Sequence, residues 1–376
     1  MPDSTIIDDP YAVRVAAQNR SRGTRYLAVD FASRRITHEF KFADVGYTFQ
    51  NNVAGEFGAT LDLYDPNTRY LKAQETYLVV ERLGKPFWCG FLWQPTRSGK
   101  NLNVVAQEVW SIFGHRRVRQ TLDWINQDRG FMLRNLLTYA QMGPAGDLGV
   151  SIGSETVGGP PQSYKVPWWE NKGVVETAET LLKMNPAFSF RIEGEWQPGN
   201  VLGFRLVIDA VHPIPTPHRL IYGGNVDDYD WTPLSPSPNF VDGFGGFDNE
   251  AMLRRTAQND DALARQPRIE SSIENRELLG DEGVLNLAVN QLKRLSGSPS
   301  QPSVTMQAGS DPVLGVLRPG HQCHVSIDDG YVHVDGDFSV EKITVSVPNG
   351  SADSPGAETV KIDFESKLDD TSVSTT

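Results

Sequence analysis

Between residues 36 and 106 the chain alternates apolar and polar residues in one segment after another: Ile36-Thr37-His38-Glu39-Phe40-Lys41-Phe42, Ala59-Thr60-Leu61-Asp62-Leu63-Tyr64, Tyr77-Leu78-Val79-Val80-Glu81 and Phe87-Trp88-Cys89-Gly90-Phe91-Leu92-Trp93. A period of two puts successive side chains on opposite faces of a strand, so each segment can bury one face. Turn chemistry at Asp65-Pro66-Asn67 and Gly84-Lys85-Pro86 separates the segments, and a compact β-barrel is expected. A second alternating run closes the chain: Gln322 to Ile327, Tyr331 to Asp335 and Ser339 to Val347. There a two-residue turn at Asp329-Gly330 predicts Ile327 opposite Val332, Val325 opposite Val334 and, on the other face, His324 opposite Asp335.

At 376 residues the chain outgrows one hydrophobic core, and roughly two to four domains are expected. Residues 1–120 read as the first barrel, with a helix whose Ala106, Val109, Trp110 and Phe113 form a stripe that plugs one barrel end. Over 121–215 the period changes. Phe131, Met132, Leu136, Leu137 and Ala140 predict a helix after Asp128; Val174, Val175, Ala178, Leu181 and Leu182 predict another, stopped at Asn185-Pro186. Strands Phe188 to Ile192 and Phe204 to Ile208 flank the turn Gln197-Pro198-Gly199-Asn200, making this block a small inserted α+β domain, with Gly158-Gly159-Pro160-Pro161 as a loop.

Pro213, Pro215, Pro217, Pro233, Pro236 and Pro238 keep 212–238 extended, and 216–255 is expected to complete the first barrel. Residues 256–300 read as a connecting strand and helix. Asp281 caps that helix, Leu285, Ala288, Leu292 and Leu295 share a face, and Gly297 stops it. Residues 301–365 form the second barrel and 366–376 a flexible tail. The fold class is mainly β with an α+β insertion.

An apolar content of 39% with 10% aromatic residues is enough to build cores. The net charge of −12, from 35 basic and 47 acidic residues, disfavours general affinity for nucleic-acid phosphates. The basic exceptions are Arg14, Arg20, Arg22, Arg25, Arg34 and Arg35, and the run His115-Arg116-Arg117-Val118-Arg119. Interleaved with strand and helix signals, they read as solvated surface or subunit contacts. Cys89 and Cys323, far apart and each inside a strand pattern, read as buried free thiols. Without a basic leader and apolar run, or a stretch of roughly 18 apolar residues, neither secretion nor membrane insertion is expected.

Five constellations invite chemistry. Gly149-Val150-Ser151-Ile152-Gly153, with Asp209 and His212 downstream, has nucleophile-elbow spacing, but Ser154 to Pro161 cannot form the helix an elbow needs. His321, Cys323, His324 and His333 are metal-ligand types, yet strand alternation separates them. Asn225, Asp227, Asp228 and Asp230 lack the calcium-loop spacing and read as a capped turn, while no helix opens after Gly243-Phe244-Gly245-Gly246, so its glycines are expected to permit close strand packing. Glu193 and Glu195 face one way on a strand and read as surface carboxylates. Neither a catalytic residue, a metal nor a cofactor is therefore assigned. Trp88, Trp93, Trp168, Trp169 and Trp231 are many for strand and loop positions, and such residues anchor interfaces. Trp168 and Trp169, which follow Pro167 and cannot both be buried on one strand face, are expected to contact another chain through one ring of the pair. Interface candidates are Trp168, Trp169, Trp231, Arg116 and Arg117.

The order of elements resembles the minor tail proteins of long-tailed actinobacteriophages, which are similar to phage baseplate hub and tail-associated proteins. The resemblance rests on the strands ending in Leu63-Tyr64-Asp65-Pro66, on Tyr77-Leu78-Val79-Val80-Glu81 followed by Gly84-Lys85-Pro86-Phe87-Trp88-Cys89-Gly90-Phe91, and on Val105-Ala106 leading to a helix with Arg116 and Arg117 near its end. Downstream it rests on the helix Asp281 to Leu295 and on Leu317-Arg318-Pro319-Gly320-His321-Gln322-Cys323-His324-Val325. It implies two hub-type β-barrels per chain and a homotrimer that forms a pseudo-sixfold ring in the virion tail tip. That ring would join the tail tube or distal tail protein to other tail-tip proteins and let DNA pass without specific binding. Many tail-associated proteins extend into a fibre, lysin or receptor-binding region; this sequence ends shortly after its last strand, so those roles are not expected. The reading is a structural, non-enzymatic hub protein. The alternative is a carbohydrate-binding or depolymerising tail-tip protein using Trp168, Trp169 and Glu193.

Overall fold

The computed structural model describes residues 23–183, 188–210, 212–233, 238–248, 251–276, 280–295, 300–347, 358–365 and 374–375. Arg14, Arg20, Arg22, Asn185-Pro186, Pro236, Gly297 and residues 366–373 and 376 lie outside the described residues. The opening strands are β1 (Thr24–Asp30), β2 (Ile36–Phe40), β3 (Ala43–Gln50), β4 (Glu56–Asp62), β5 (Thr76–Arg82), β6 (Lys85–Leu92), β7 (Thr96–Ser98) and β8 (Asn101–Glu108). They pair in the order β3-β4-β8-β6-β5-β1-β2, with β7 beside β8. Period two acts as expected: Phe57, Ala59 and Leu61 of β4 are buried, while Glu56, Gly58, Thr60 and Asp62 turn away.

β2 and β3 are one stretch of chain bent at Lys41-Phe42, sharpened by Asp44 at φ 50° and a register shift between Ala43 and Gly46. The first lobe therefore wraps through chain continuity, and its strands close no hydrogen-bonded barrel among the described residues. β5 is buried on both faces. Leu78 and Val80 enter the first core and Tyr77 and Val79 a second, which is why this segment reads as a continuous apolar run.

The second core belongs to α1 (Trp110–Phe113), β9 (Leu122–Gln127), α2 (Arg129–Ala140), β10 (Val150–Ser151), β11 (Gln162–Val166), α3 (Val174–Lys183), β12 (Ser189–Gln197) and β13 (Val201–Asp209). Met132, Leu136, Ala178, Leu181, Phe190 and Phe204 pack here against Leu27, Val29 and Phe91 on the outer face of β1 and β6. The expected plug is corrected. Ala106 stays in β8, a central strand bonded to β4 and β6, so α1 is one turn whose Trp110 and Phe113 face the second core. The Asp128 side chain caps α2 by accepting from Phe131 N at 3.1 Å. Phe131 itself is exposed and Leu133 takes the core position. β12 and β13 form the expected hairpin, with Gly199 at φ 81°.

The chain continues through β14 (Ile214–Ile221), β15 (Asp228–Pro233), β16 (Phe240–Asp248), β17 (Ala251–Gln258), α4 (Asp260–Leu263), β18 (Glu270–Glu274), α5 (Asp281–Leu295), β19 (Ser300–Gln307), β20 (His321–Asp328), β21 (His333–Val347), β22 (Thr359–Phe364) and β23 (Ser374–Thr375). Residues 216–255 do not return to the first lobe. β14 pairs with β20 and β15 with β19, both in the second lobe, whereas β16 and β17 join β18 and β23 in a separate sheet under α5. Val241, Ala257, Ala288 and Leu292 form its small core. Gly243 permits the approach: a Cβ there would lie 2.8 Å from the Val284 carbonyl oxygen. Ser374–Thr375, within the segment expected to be a flexible tail, pairs with Ala257 and Gln258.

The second lobe runs β15-β19-β22-β21-β20-β14. Its hairpin turn is longer than two residues, because Asp329 Oδ1 accepts from both Tyr331 N at 2.9 Å and Val332 N at 2.8 Å. Ile327 is thus opposite Val334, Val325 opposite Gly336 and His324 opposite Asp337. An even shift preserves the faces, so Val325, Ile327, Val332 and Val334 remain buried. β21 also pairs antiparallel with β3, from Lys342 opposite Gln50 to Val347 opposite Val45, and this fuses both lobes into one 14-stranded sheet. No helix among the described residues is long and apolar enough to cross a membrane.

Candidate functional site

The two lobes and the insertion converge on a cleft of about 550 Å³. The first lobe contributes Gly84 to Cys89, the insertion Arg191 to Trp196 of β12, and the second lobe the segment from Leu314 to Pro319 before β20. Phe49 and Phe87, edge to face at 5.2 Å, and Leu314 supply apolar lining. A joint between β3 and β4 holds the walls together: Phe190 N donates to Asn52 Oδ1 at 2.9 Å, Asn52 N to the Phe190 carbonyl at 3.1 Å, and Asn51 Nδ2 to the Pro319 carbonyl at 2.7 Å. Asn52 sits at φ 64°, a left-handed conformation that asparagine tolerates.

Glu193 is the electrostatic centre. Its carboxylate meets Arg191 at 2.8 Å, Arg318 at 2.6 Å and Arg205 at 3.0 Å. Burial would push its pKa up, but these guanidinium groups outweigh that and hold it below the ordinary value. Glu108, also lining the cleft, behaves oppositely. Burial pushes it up to about 8, despite the 2.8 Å hydrogen bond accepted from Gly55 N.

Glu193 and Glu195, expected as surface carboxylates, both line this cleft, where Glu193 is partly buried and committed to three arginines, so it cannot serve as a proton donor at neutral pH. Trp168 and Trp169 are 58% and 65% exposed on a short turn of the insertion, with ring centroids 6.2 Å apart. Trp231 is partly buried against the first core. Arg116 is turned inward, donating to the Gly146 carbonyl at 2.8 Å and to that of Ala140, whereas Arg117 is exposed. Ser151 Oγ donates to the Phe204 carbonyl at 3.0 Å, Asp209 pairs with Arg191 and His212 with Glu365, so the serine, aspartate and histidine do not converge. His324 lies between Asp335 at 2.8 Å and Asp337 at 3.1 Å, and His333 meets Asp328. Among the described residues no group of three or more His, Cys, Asp or Glu side chains is arranged to hold a metal ion. Asn225 caps a turn, bonding Ile221 N and the Arg219 carbonyl. Arg205 stands opposite Glu193 across the β12–β13 hairpin, a pair that the register of the predicted turn could have given, whereas Arg318 and Asn52 reach Glu193 and Phe190 only through tertiary folding.

The structure is similar to the 43 kDa tail protein of prophage MuSo2 from Shewanella oneidensis, with a TM-score of 0.60 and 13% identity over 90% of this chain and 98% of that one. The fold is that of phage tail proteins. A tail protein from Neisseria meningitidis matches with a TM-score of 0.57 and 11% identity, covering 92% and 97% of the two chains. Prophage tail protein gp18 from Listeria monocytogenes gives 0.50 and 11%, covering 91% and 95%. The sequence itself matches no protein-family profile and no curated protein.

Proposed function

We propose that this chain is a structural, non-enzymatic hub protein in the tail tip or baseplate of a long-tailed phage of actinobacteria. Three copies close a pseudo-sixfold ring that joins the tail tube to the tip, contacts other tail proteins and lets DNA pass. The observation that carries this reading is the single sheet that runs through both lobes. Its outer face presents three transverse rows, Gln307-Thr359-Ser346-Gly46-Gly58, Thr305-Lys361-Thr344-Thr48 and Ser303-Asp363-Lys342-Gln50, each linked by strand pairing across the lobe junction. Hydroxyls, amides and glycines dominate, Lys361 is paired with Asp230 and Lys342 stands opposite Asp363, so the face offers a polyanion little to hold, as a channel wall requires. The fold likeness, which spans nearly the whole of the compared tail proteins, supports the same reading.

Both lobes also repeat one device. A hairpin strand bends and continues into the next pairing, β1 to β2-β3 to β4 in one lobe and β20 to β21 to β22 in the other. Such repetition within a chain is what threefold copies need to imitate sixfold order. Native mass spectrometry of the full chain tests the reading: a trimer is expected, and a stable dimer counts against it.

A further inference from the structure

In a ring generated by rotation, each copy must offer two different, complementary patches. One candidate patch is the cleft, with its aromatic lining and with Arg205 and Arg318 side chains 55% and 46% exposed. Its chemical complement lies on the same chain at the tip of the β20–β21 hairpin. There Tyr331 is 91% exposed and the Asp328 side chain 76% exposed. The tip is pre-organised, because Asp329 accepts from two backbone amides of the turn and from the Tyr229 hydroxyl. A tyrosine carried on a fixed turn has only two side-chain torsions to lose when it docks.

The chain cannot fill its own cleft with this tip. Pro319 lines the cleft, and β20 leads away from it over 8 residues, a run of about 25 Å at the usual strand rise. We propose that the hairpin tip of one copy seats in the seam cleft of the next, with the Tyr331 ring against Phe49, Phe87 and Leu314 and the Asp328 carboxylate facing Arg205 and Arg318. This contact rests on the ring reading above and names its interface.

The test places photoreactive benzoylphenylalanine at position 331 of the full chain, mixes heavy-isotope and light copies, and maps the crosslinks. Crosslinks between copies to residues 84–89 or 314–319 are expected. Tyr331→Ala should weaken assembly at least roughly ten-fold, as loss of a buried aromatic anchor does, while Tyr64→Ala, a change at a comparably exposed tyrosine, leaves it unaltered. A trimer of undiminished affinity in Tyr331→Ala, or crosslinks confined to other regions, overturns this contact and leaves the ring reading standing. A wild type that stays monomeric to millimolar concentration overturns both.

Discussion

Glu108 keeps its proton in the folded chain up to about pH 8, whereas an unfolded chain releases it near the ordinary value of 4.5. Between those limits the folded state binds more protons, so stability falls as pH rises through the window and levels off above it. Glu108→Gln removes that slope. Urea denaturation should find the variant more stable than wild type by up to about 4 kcal/mol at pH 8 and nearly equal to it at pH 4.5. Asn52 is tested the other way. Asn52→Ala forfeits the acceptor for Phe190 N and strains a left-handed backbone, costing about 2 kcal/mol; Asn52→Gly keeps the conformation and costs about 1 kcal/mol. Equal losses in the two variants would mean that the backbone conformation is irrelevant. Neither residue announces itself in the sequence: Glu108 falls between Ala106 and Val109 of the expected helical stripe and reads as outward-facing, whereas it ends β8 and lines the cleft.

Among the elements, those with one buried face were the most legible, since period two reports a half-buried strand directly, as in β4 and β20. Legibility failed where burial was not one-sided. β5 is covered on both faces, and Ala106, spaced as if on one helix face with Val109, Trp110 and Phe113, is kept in β8 by its pairing with β4 and β6, so that only Trp110–Phe113 forms a helical turn. The path of 216–255 was lost for a different reason: strand pattern does not name a partner, and β14 and β15 pair over long sequence separations with β20 and β19, while β16 and β17 fold back on each other as a hairpin of a separate sheet. In the glycine run 243–246, expected to permit close strand packing, Gly243 instead lets helix α5 approach the sheet. Gly243→Val would drive a branched side chain into the Val284 carbonyl and Ala288, destabilising the α5 unit by about 1–3 kcal/mol. Hydrogen exchange should show lost protection in α5 and β17 with the first lobe unchanged, and uniform protection would refute the close contact. The exposed turn bearing Trp168 and Trp169 makes a separate prediction: alanine at one of the two positions changes the mass of the assembled particle, and an unchanged mass in both variants removes the pair from the interface.

For the whole molecule, the legible part was the class, mainly β with an α+β insertion, and the strands of both lobes. Their fusion was not legible, because the register of β3 on β21 joins segments nearly the full chain apart. That fusion underlies the functional proposal: in the proposed ring, a wall continuous across two lobes would let one polypeptide fill two of six positions around a channel. Electron microscopy of the assembled particle viewed down its axis tests this most directly. The account predicts three copies around an open lumen, six similar lobes in projection, and the Thr48–Thr344 face of the sheet turned inward. A ring with any other copy number, or one in which that face points outward to solvent, would contradict it.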